Sequence, residues 1–495
     1  MDLSKRVSRW VTNASSRQYI ALIVMWSLLL STIAFISDPI LNRDGMFYID
    51  IARSMQLEGA GLSSRRYGWA FLPMLLAAGG VIGLTPLTTA VVFSLLCGAL
   101  IPVMIFLFLS RYQPNYRYLA FLIACLLPWT SAFRADLLRD SGAWLFMLVA
   151  LYAAVRWLES RRLAWSMLLF ASAFTAFLFR IEMALLFSLG IYMPMVIRWR
   201  AAQQSEANFL TWGFCLFLVA VLALMLLVAS AGYEYAQIYV NNFLYGGPFG
   251  TYAGFRETVG VAANEYLNKD LGAFLFFGFL ALVVLKIISM LGLFSLPLYL
   301  AAFNGRYRRV VQKDGGATLM IAALFLLPVA VFIFMNMFIL SRYVMPTVIA
   351  SSPFVLIGVI ALWRDFLGVR GRVVFVSIAL LATLSAVTST SAGKIYIKDT
   401  GRWLVEHSNE LEPLQIRDER ISFYAQRGYR ITKGASEQDY VPALSEEYRT
   451  VVFTFDVKQG GERAEVERIK ALTGFEKVLF MADNGAGDGA VVLSR

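Results

Sequence analysis

The sequence predicts an all-α polytopic membrane domain of about eleven transmembrane helices, followed by a small α/β domain outside the membrane. Three observations predict it. Of 495 residues, 59% are hydrophobic and only 16% charged, a balance outside the range of soluble domains. Apolar windows of the ~20 residues a bilayer crossing needs recur from Gln18 to Thr390 and then stop. The last 105 residues are polar, with 15 Lys/Arg and 17 Asp/Glu. The expected division is therefore a membrane domain over residues 1–390 and an extramembrane domain over 391–495.

The expected spans, in order, are residues 18–37, 87–109, 118–133, 142–158, 163–179, 183–197, 209–231, 272–300, 317–340, 343–363 and 373–390. Lys5, Arg6, Arg9 and Arg17 precede the first, and no small-residue cleavage site follows it, so it reads as an uncleaved anchor starting in the cytoplasm. Tyr67 to Leu84 is apolar enough to cross but is interrupted by Pro73 and four glycines. Read as a crossing, it moves Arg111 and Arg117 outside and puts Asp44 and Asp140 on opposite faces. Read as interfacial or re-entrant, it leaves the Arg-rich loops at 111–117, 156–162, 198–200, 306–313 and 364–372 all inside, as the positive-inside rule prefers. The second reading is adopted. The outer face then holds residues 38–86, the short "FRADLLRDS" loop from Phe133 to Ser141, the segment 232–271 and the tail, whose "TVVFTFDV", "ERAEVERIKAL" and "KVLFMA" read as strand, helix, strand.

The net charge of +11 comes from the membrane part, with 29 basic and 16 acidic residues, so it is a topology signal and does not imply nucleic acid. Cys97, Cys125 and Cys215 all lie in apolar windows and outline no disulfide framework. The single histidine, His407, lies in the tail, which excludes His-rich metal sites and argues against a Ser-His-Asp or Cys-His device in the membrane domain.

Candidate residues gather at helix ends on the outer face. Asp44, Tyr48, Ile51 and Ala52 fall at helical spacing, consistent with a short amphipathic helix along the interface that begins near Asp44. Asp44 is either a favourable N-terminal charge, worth ~0.3–1 kcal/mol, or part of a site. In "RADLLRDSGAW", Asp136 and Asp140 stand four apart, with Ser141 able to cap the following helix. Two acid-bearing loops on one face can converge on a single polar cleft. Arg180 and Glu182, in "FLFRIEMALL", sit between two apolar windows; a charge left in hydrocarbon costs ~2.5–3.5 kcal/mol, so they lie in the interface or face a cavity, either neutralising each other or leaving Arg180 to bind an anion. Arg342 and Tyr343, in "SRYVMPTVIA", are ordinary interfacial anchors when taken alone. "YVNNFLYGGPFGTY", from Tyr239 to Tyr252, suits a sugar platform or a lipid-interface loop equally.

Taken together, these stretches resemble the GT-C class of membrane glycosyltransferases, specifically the bacterial branch with the aminoarabinose transferase and the protein O-mannosyltransferases. The first outer loop of that branch resembles an Asp-Glu pair, a Tyr at plus four and Ile-Ala-Arg at plus seven to nine. Here Asp44, Tyr48, Ile51, Ala52 and Arg53 hold those offsets, while Gly45 stands in place of the Glu. "FLPMLLAAGGVIGLTPLTTAVVFSLLCGAL" resembles a proline-led segment ending in a Gly before the second helix, without the usual double proline. "RDSGAWLFM" puts the second-loop Asp on Asp140, Arg180 stands where relatives often carry Lys, and "SRYVMPTVIASSP" resembles an Arg-Tyr-x-x-Pro before a late helix. The resemblance covers residues 18–363, and "GRWLVEHS" and "FYAQRGYR" resemble the outer domain of some members. The order of the motifs carries it.

The resemblance implies a multi-pass protein of the bacterial inner membrane, with a cytoplasmic N-terminus and a periplasmic or extracellular tail. It implies a sugar donor on a polyprenyl phosphate and an acceptor hydroxyl on a lipid, glycan or protein. Asp44 is then the expected base of an inverting transfer and Asp140 the second catalytic acid, orienting donor or acceptor. Arg180, then Arg342, would bind the donor phosphate, and Tyr48, Arg53, Asp136, Glu182 and Tyr343 would line the substrate site. The prenyl chain would lie among the helices of residues 183–340. No cofactor is expected, although Asp44 and Asp140 could share a divalent cation. Rival readings are a transporter or flippase of lipid-linked sugars, an O-antigen ligase or polymerase with a diphosphate-linked donor, and a scaffold whose loop charges are only solvated helix ends. Against the first, the chain shows no internal repeat, though Lys286 lies inside a long apolar stretch. Against the second, the 232–271 loop is poor in arginine.

Overall fold

A computed structural model describes residues 14–59 (39 excepted), 70–188 (161 excepted), 247–297 (263 and 264 excepted), 299, 322–388, 392–407, 414–428 and 448–495. The expected span 209–231, the arginine loops at 198–200 and 306–313, and residues 239–246 lie outside the described residues. Among those described, six helices are long and apolar enough to cross a membrane: Ser16–Ser37, Pro86–Tyr112, Arg139–Ser160, Asn268–Ser295, Ser341–Phe366 and Val369–Thr388. The protein is thus a multi-pass membrane protein, and its bulk is helical.

In chain order, α1 (Ser16–Ser37) opens on a capping box in which Ser15 and Gln18 satisfy each other's backbone groups. Next come α2 (Arg43–Glu58) and α3 (Phe71–Ala78), which tightens into a 3-10 turn over Gly79–Ile82. At 1.5 Å per residue those twelve residues reach only ~18 Å, short of the ~30 Å hydrocarbon core, in keeping with an interfacial segment. α4 (Pro86–Tyr112) follows, N-capped by Thr85. The span expected over 118–133 is a correction: α5 covers only Arg117–Leu126, because Pro128 has no N–H to continue the ladder and the chain re-forms as a single turn at Trp129–Ala132. α6 (Arg139–Ser160) and α7 (Leu163–Phe179) pack as a hairpin. The span expected from 183 also differs, since Ile181–Ser188 is a 3-10 turn; its continuation lies outside the described residues.

The second half contains α8 (Gly247–Ala262), α9 (Glu265–Leu291), α10 (Leu326–Asn336), α11 (Met345–Ala361) and α12 (Val369–Thr388). α9 turns Phe274, Phe276, Phe277, Leu280 and Leu285 outward, as a lipid-facing helix does. α11 is the opposite: every residue from Met345 to Ala361 is buried. It forms the axis of the bundle and fixes whatever stands at its entrance, which is Arg342 and Tyr343.

The tail begins with amphipathic α13 (Ile395–Glu406) and contains β1 (Leu414–Ile416), α14 (Glu419–Tyr424), β2 (Thr450–Asp456), α15 (Glu462–Thr473), β3 (Lys477–Asp483) and β4 (Asp488–Ser494). The sheet order is β1-β2-β4-β3, with β1 parallel to β2 and the other pairs antiparallel. Alternate residues of β2 feed two small cores, Val452 against Ile397 and Leu404, and Val451 and Phe453 against Val466 and Ile469. The domain docks on α2: Tyr424 Oη accepts the Leu41 N–H at 3.0 Å, Arg43 pairs with Glu419 at 3.5 Å, and the Arg53 guanidinium lies 5.0 Å from the Phe423 ring centre.

Candidate active site

α2 carries Asp44 in its first turn and buries Gly45, Met46, Tyr48, Ile49, Ile51, Ala52 and Met55, the face that helical spacing defines. Its position is set by a close approach. A Cβ at Gly45 would come within 2.7 Å of Leu137 Cβ and 2.6 Å of Asn42 Oδ1. Asn42 Oδ1 also accepts the Leu137 N–H at 2.9 Å. The residue that departs from the expected Asp-Glu pair is therefore the one that lets the first outer loop lie against the second.

A second close approach brings in Arg180. Asp140 lies in the first turn of α6, and Gly142 two residues on leaves room for the Phe179 ring, which a Cβ would meet at 2.6 Å. Phe179 is fully buried against Phe71 and Phe93, so the next residue, Arg180 at the end of α7, is delivered to Asp140. Arg180 Nη1 bonds Asp140 and its Nε bonds Glu182. These side chains are 7%, 2% and 21% exposed. Burial alone would lower the Arg180 pKa, but Asp140 first and Glu182 second outweigh it and hold the group above its ordinary value.

The third component comes from the entrance of α11. Arg342 Nη1 bonds Asp44, and Arg342 Nε is buried without a partner among the described residues. The Tyr343 ring stacks on Phe332 with 3.9 Å between centres, and both guanidiniums reach it, Arg180 at 4.9 Å and Arg342 at 5.4 Å from its centre. Two cations over one ring are held by its quadrupole without being neutralised by it.

Asp44, Asp140, Arg180, Glu182, Arg342 and Tyr343 thus come together from four separate stretches of chain. Asp136 borders the group. Its carboxyl is pushed up to about 6, first by burial, then by Asp38, with Arg342 opposing and Asp44 and Asp140 adding to the rise. It also lines a cavity of about 620 Å³ between the first outer loop and the tail, together with Asp38, Asn42, Arg43, Lys394 and Arg420. Tyr48 is buried in the bundle core on α2, one turn from Asp44, and Arg53 faces Phe423 of the tail. Sequence reasoning passed over Asn42 as a site residue, and it marked Phe423 and Tyr424 only as part of "FYAQRGYR" in the outer domain, without their contacts to the first loop. Among the described residues, no three His, Cys, Asp or Glu side chains are grouped to hold a metal ion.

No protein-family model and no curated protein matches the sequence. Solved structures do. The chain aligns over 97% of its length with 98% of ArnT from Cupriavidus metallidurans in the apo state, at 13% identity and a TM-score of 0.54. It matches the same protein bound to undecaprenyl phosphate over the same shares, at 13% identity and a TM-score of 0.55. The chain has the GT-C fold. The order of motifs seen in the sequence is thus matched by a shared architecture over nearly the whole chain. Within that fold the two arginine–carboxylate pairs meet at Tyr343.

Proposed function

We propose that this protein is a glycosyltransferase that moves a sugar from a polyprenyl-phosphate donor to a hydroxyl acceptor on the outer face of the membrane, with inversion. The observation that carries the reading is the convergence of Arg180 and Arg342 on Tyr343, each already bound to a carboxylate, inside a GT-C fold. A phosphate leaving group is a stable anion that needs charge compensation more than a proton. Two guanidiniums, one with a buried N–H that has no partner among the described residues, meet that need, and an arginine fork can bind two phosphate oxygens at once.

In this mechanism the pairs are placeholders. When the anionic donor enters, its phosphate competes with Asp44 for Arg342 and releases the Asp44 carboxylate. Asp44 takes the proton of the acceptor hydroxyl as that oxygen attacks the anomeric carbon and the bond from that carbon to the phosphate oxygen breaks. One displacement without an enzyme nucleophile inverts the centre. Asp140, fixed by Arg180, orients the donor sugar. The 620 Å³ cavity beneath the tail is the acceptor's approach, with Asp136, Arg43 and Lys394 on its wall. The orientation this requires has the N-terminus inside and the tail outside.

The test is label transfer from radiolabelled polyprenyl-phosphate sugars to a crude lipid and glycan extract, with purified wild type and Asp44→Asn side by side. Transfer by wild type alone supports the reading. No transfer from any donor by folded wild type rejects it in favour of a carrier of lipid-linked sugars.

A further inference from the structure

Arg134 is buried in the bundle, 4% exposed, and no carboxylate among the described residues is bonded to it. Its Nη1 donates to the Ser27 carbonyl at 2.9 Å, Ser31 Oγ at 3.1 Å and the Gly98 carbonyl at 3.2 Å, and its Nη2 donates to Ser27 Oγ at 3.5 Å. All four acceptors are neutral, so these contacts do not cancel the charge. An arginine keeps its proton near neutral pH, so the charge is real. The closest acid along the chain, Asp136, belongs to the outer cleft, and Asp140 is committed to Arg180.

Arg134 also lines a cavity of about 20 Å³, room for one water-sized particle, with Ser94, Gly98, Trp129, Phe133, Ser141 and Trp144. Two of its wall residues have N–H groups without a partner among the described residues, Arg134 Nε and Trp144 Nε1. Both are donors only, so the particle that completes them must accept. The nearby hydroxyls are already turned to carbonyls, Thr130 to Leu127 at 2.8 Å and Ser94 to Arg134 at 3.3 Å. A water or a monatomic anion can accept from both donors, and only the anion also cancels the charge on Arg134.

We propose that this cavity is a halide site, occupied by chloride, that neutralises Arg134 and ties the outer loop 133–138 to α1, α4 and α6. That loop carries Asp136 and leads directly into Asp140, so the ion is a structural support beneath the acidic side of the cleft.

The full chain in detergent, held in sodium gluconate at fixed ionic strength, is titrated with sodium chloride or bromide while thermal unfolding is followed. The expected result is a melting temperature that rises and saturates with either halide. Trp144→Phe keeps the ring and removes one donor, and should raise the half-saturating chloride concentration at least about tenfold. Arg134→Gln should abolish the saturable response, and bromide-soaked crystals should give an anomalous peak in the cavity. A wild type without a saturable halide response, a Trp144→Phe titration equal to wild type, or a water alone in the cavity would each overturn the proposal.

Discussion

The two carboxylates that meet an arginine in the cleft should respond very differently to the same substitution, because one is buried and one is not. Asp140 is 2% exposed and its partner Arg180 7%. Removing one member of such a pair strands a buried charge and costs ~3–5 kcal/mol. Glu182 still holds Arg180, so Asp140→Asn should fall at the low end, about 3 kcal/mol. Asp44 is 38% exposed and Arg342 22%, a setting in which ion pairs contribute ~0–1 kcal/mol. Asp44→Asn should therefore melt close to wild type yet lose ~10²–10⁴-fold in transfer, the contribution of a positioned base. The assay is thermal unfolding of the purified variants in one detergent, paired with single-turnover transfer. If Asp44→Asn proves the less stable of the two, or Asp140→Asn melts like wild type, the burial argument is refuted. If Asp44→Asn turns over normally, the base assignment is refuted instead.

Other perturbations follow from the same geometry. Asp136 holds its proton more tightly when folded, with a carboxyl at about 6 against an ordinary 3.8, so wild-type stability should fall as pH rises through that window. Asp136→Asn should lose this slope, as read from melting temperature against pH. Gly45→Ala should cost ~1–3 kcal/mol by overpacking against Leu137, and transfer should fall with it as α2 is displaced. Arg180→Lys keeps the charge but cannot fork to Asp140 and Glu182 together, and should raise KM for the phospholipid donor about tenfold, measured by donor titration.

The class of protein was legible because composition and the ~20-residue apolar period are local properties, and α1, α4, α6, α7, α11 and α12 lie close to where those windows put them. The strands β2 and β3 and helix α15 were legible for the same reason. β1 and β4 were passed over: the first is only three residues long, and the second is a run that gains meaning from its partner β2. The helix break at Leu127–Pro128 was hidden by continuous hydrophobicity, although Pro128 was its signal. At the site, the acids and arginines could be named from sequence, but their pairing could not. Arg180 showed its neighbour Glu182 and gave no sign of Asp140, forty residues away. Gly45 looked like a lost side chain until the distance to Leu137 gave its absence a purpose. Arg134 passed as a loop charge because nothing in "FRADLL" says which way it points.

The bond from Arg342 to Asp44 joins residues 298 positions apart in the chain. During synthesis the acid therefore enters the membrane long before its partner exists; at ~5–20 residues per second the interval is ~15–60 s. Through that time Asp44 lacks its partner from the second half of the chain, and the tail that clamps the loop through Tyr424 comes later still. The pair is in this sense a completion mark for biogenesis. A chain cut short before Arg342 can insert most of its helices and still present an open first loop, which makes the loop's accessibility to an added protease a measure of whether synthesis has passed Arg342 and the tail.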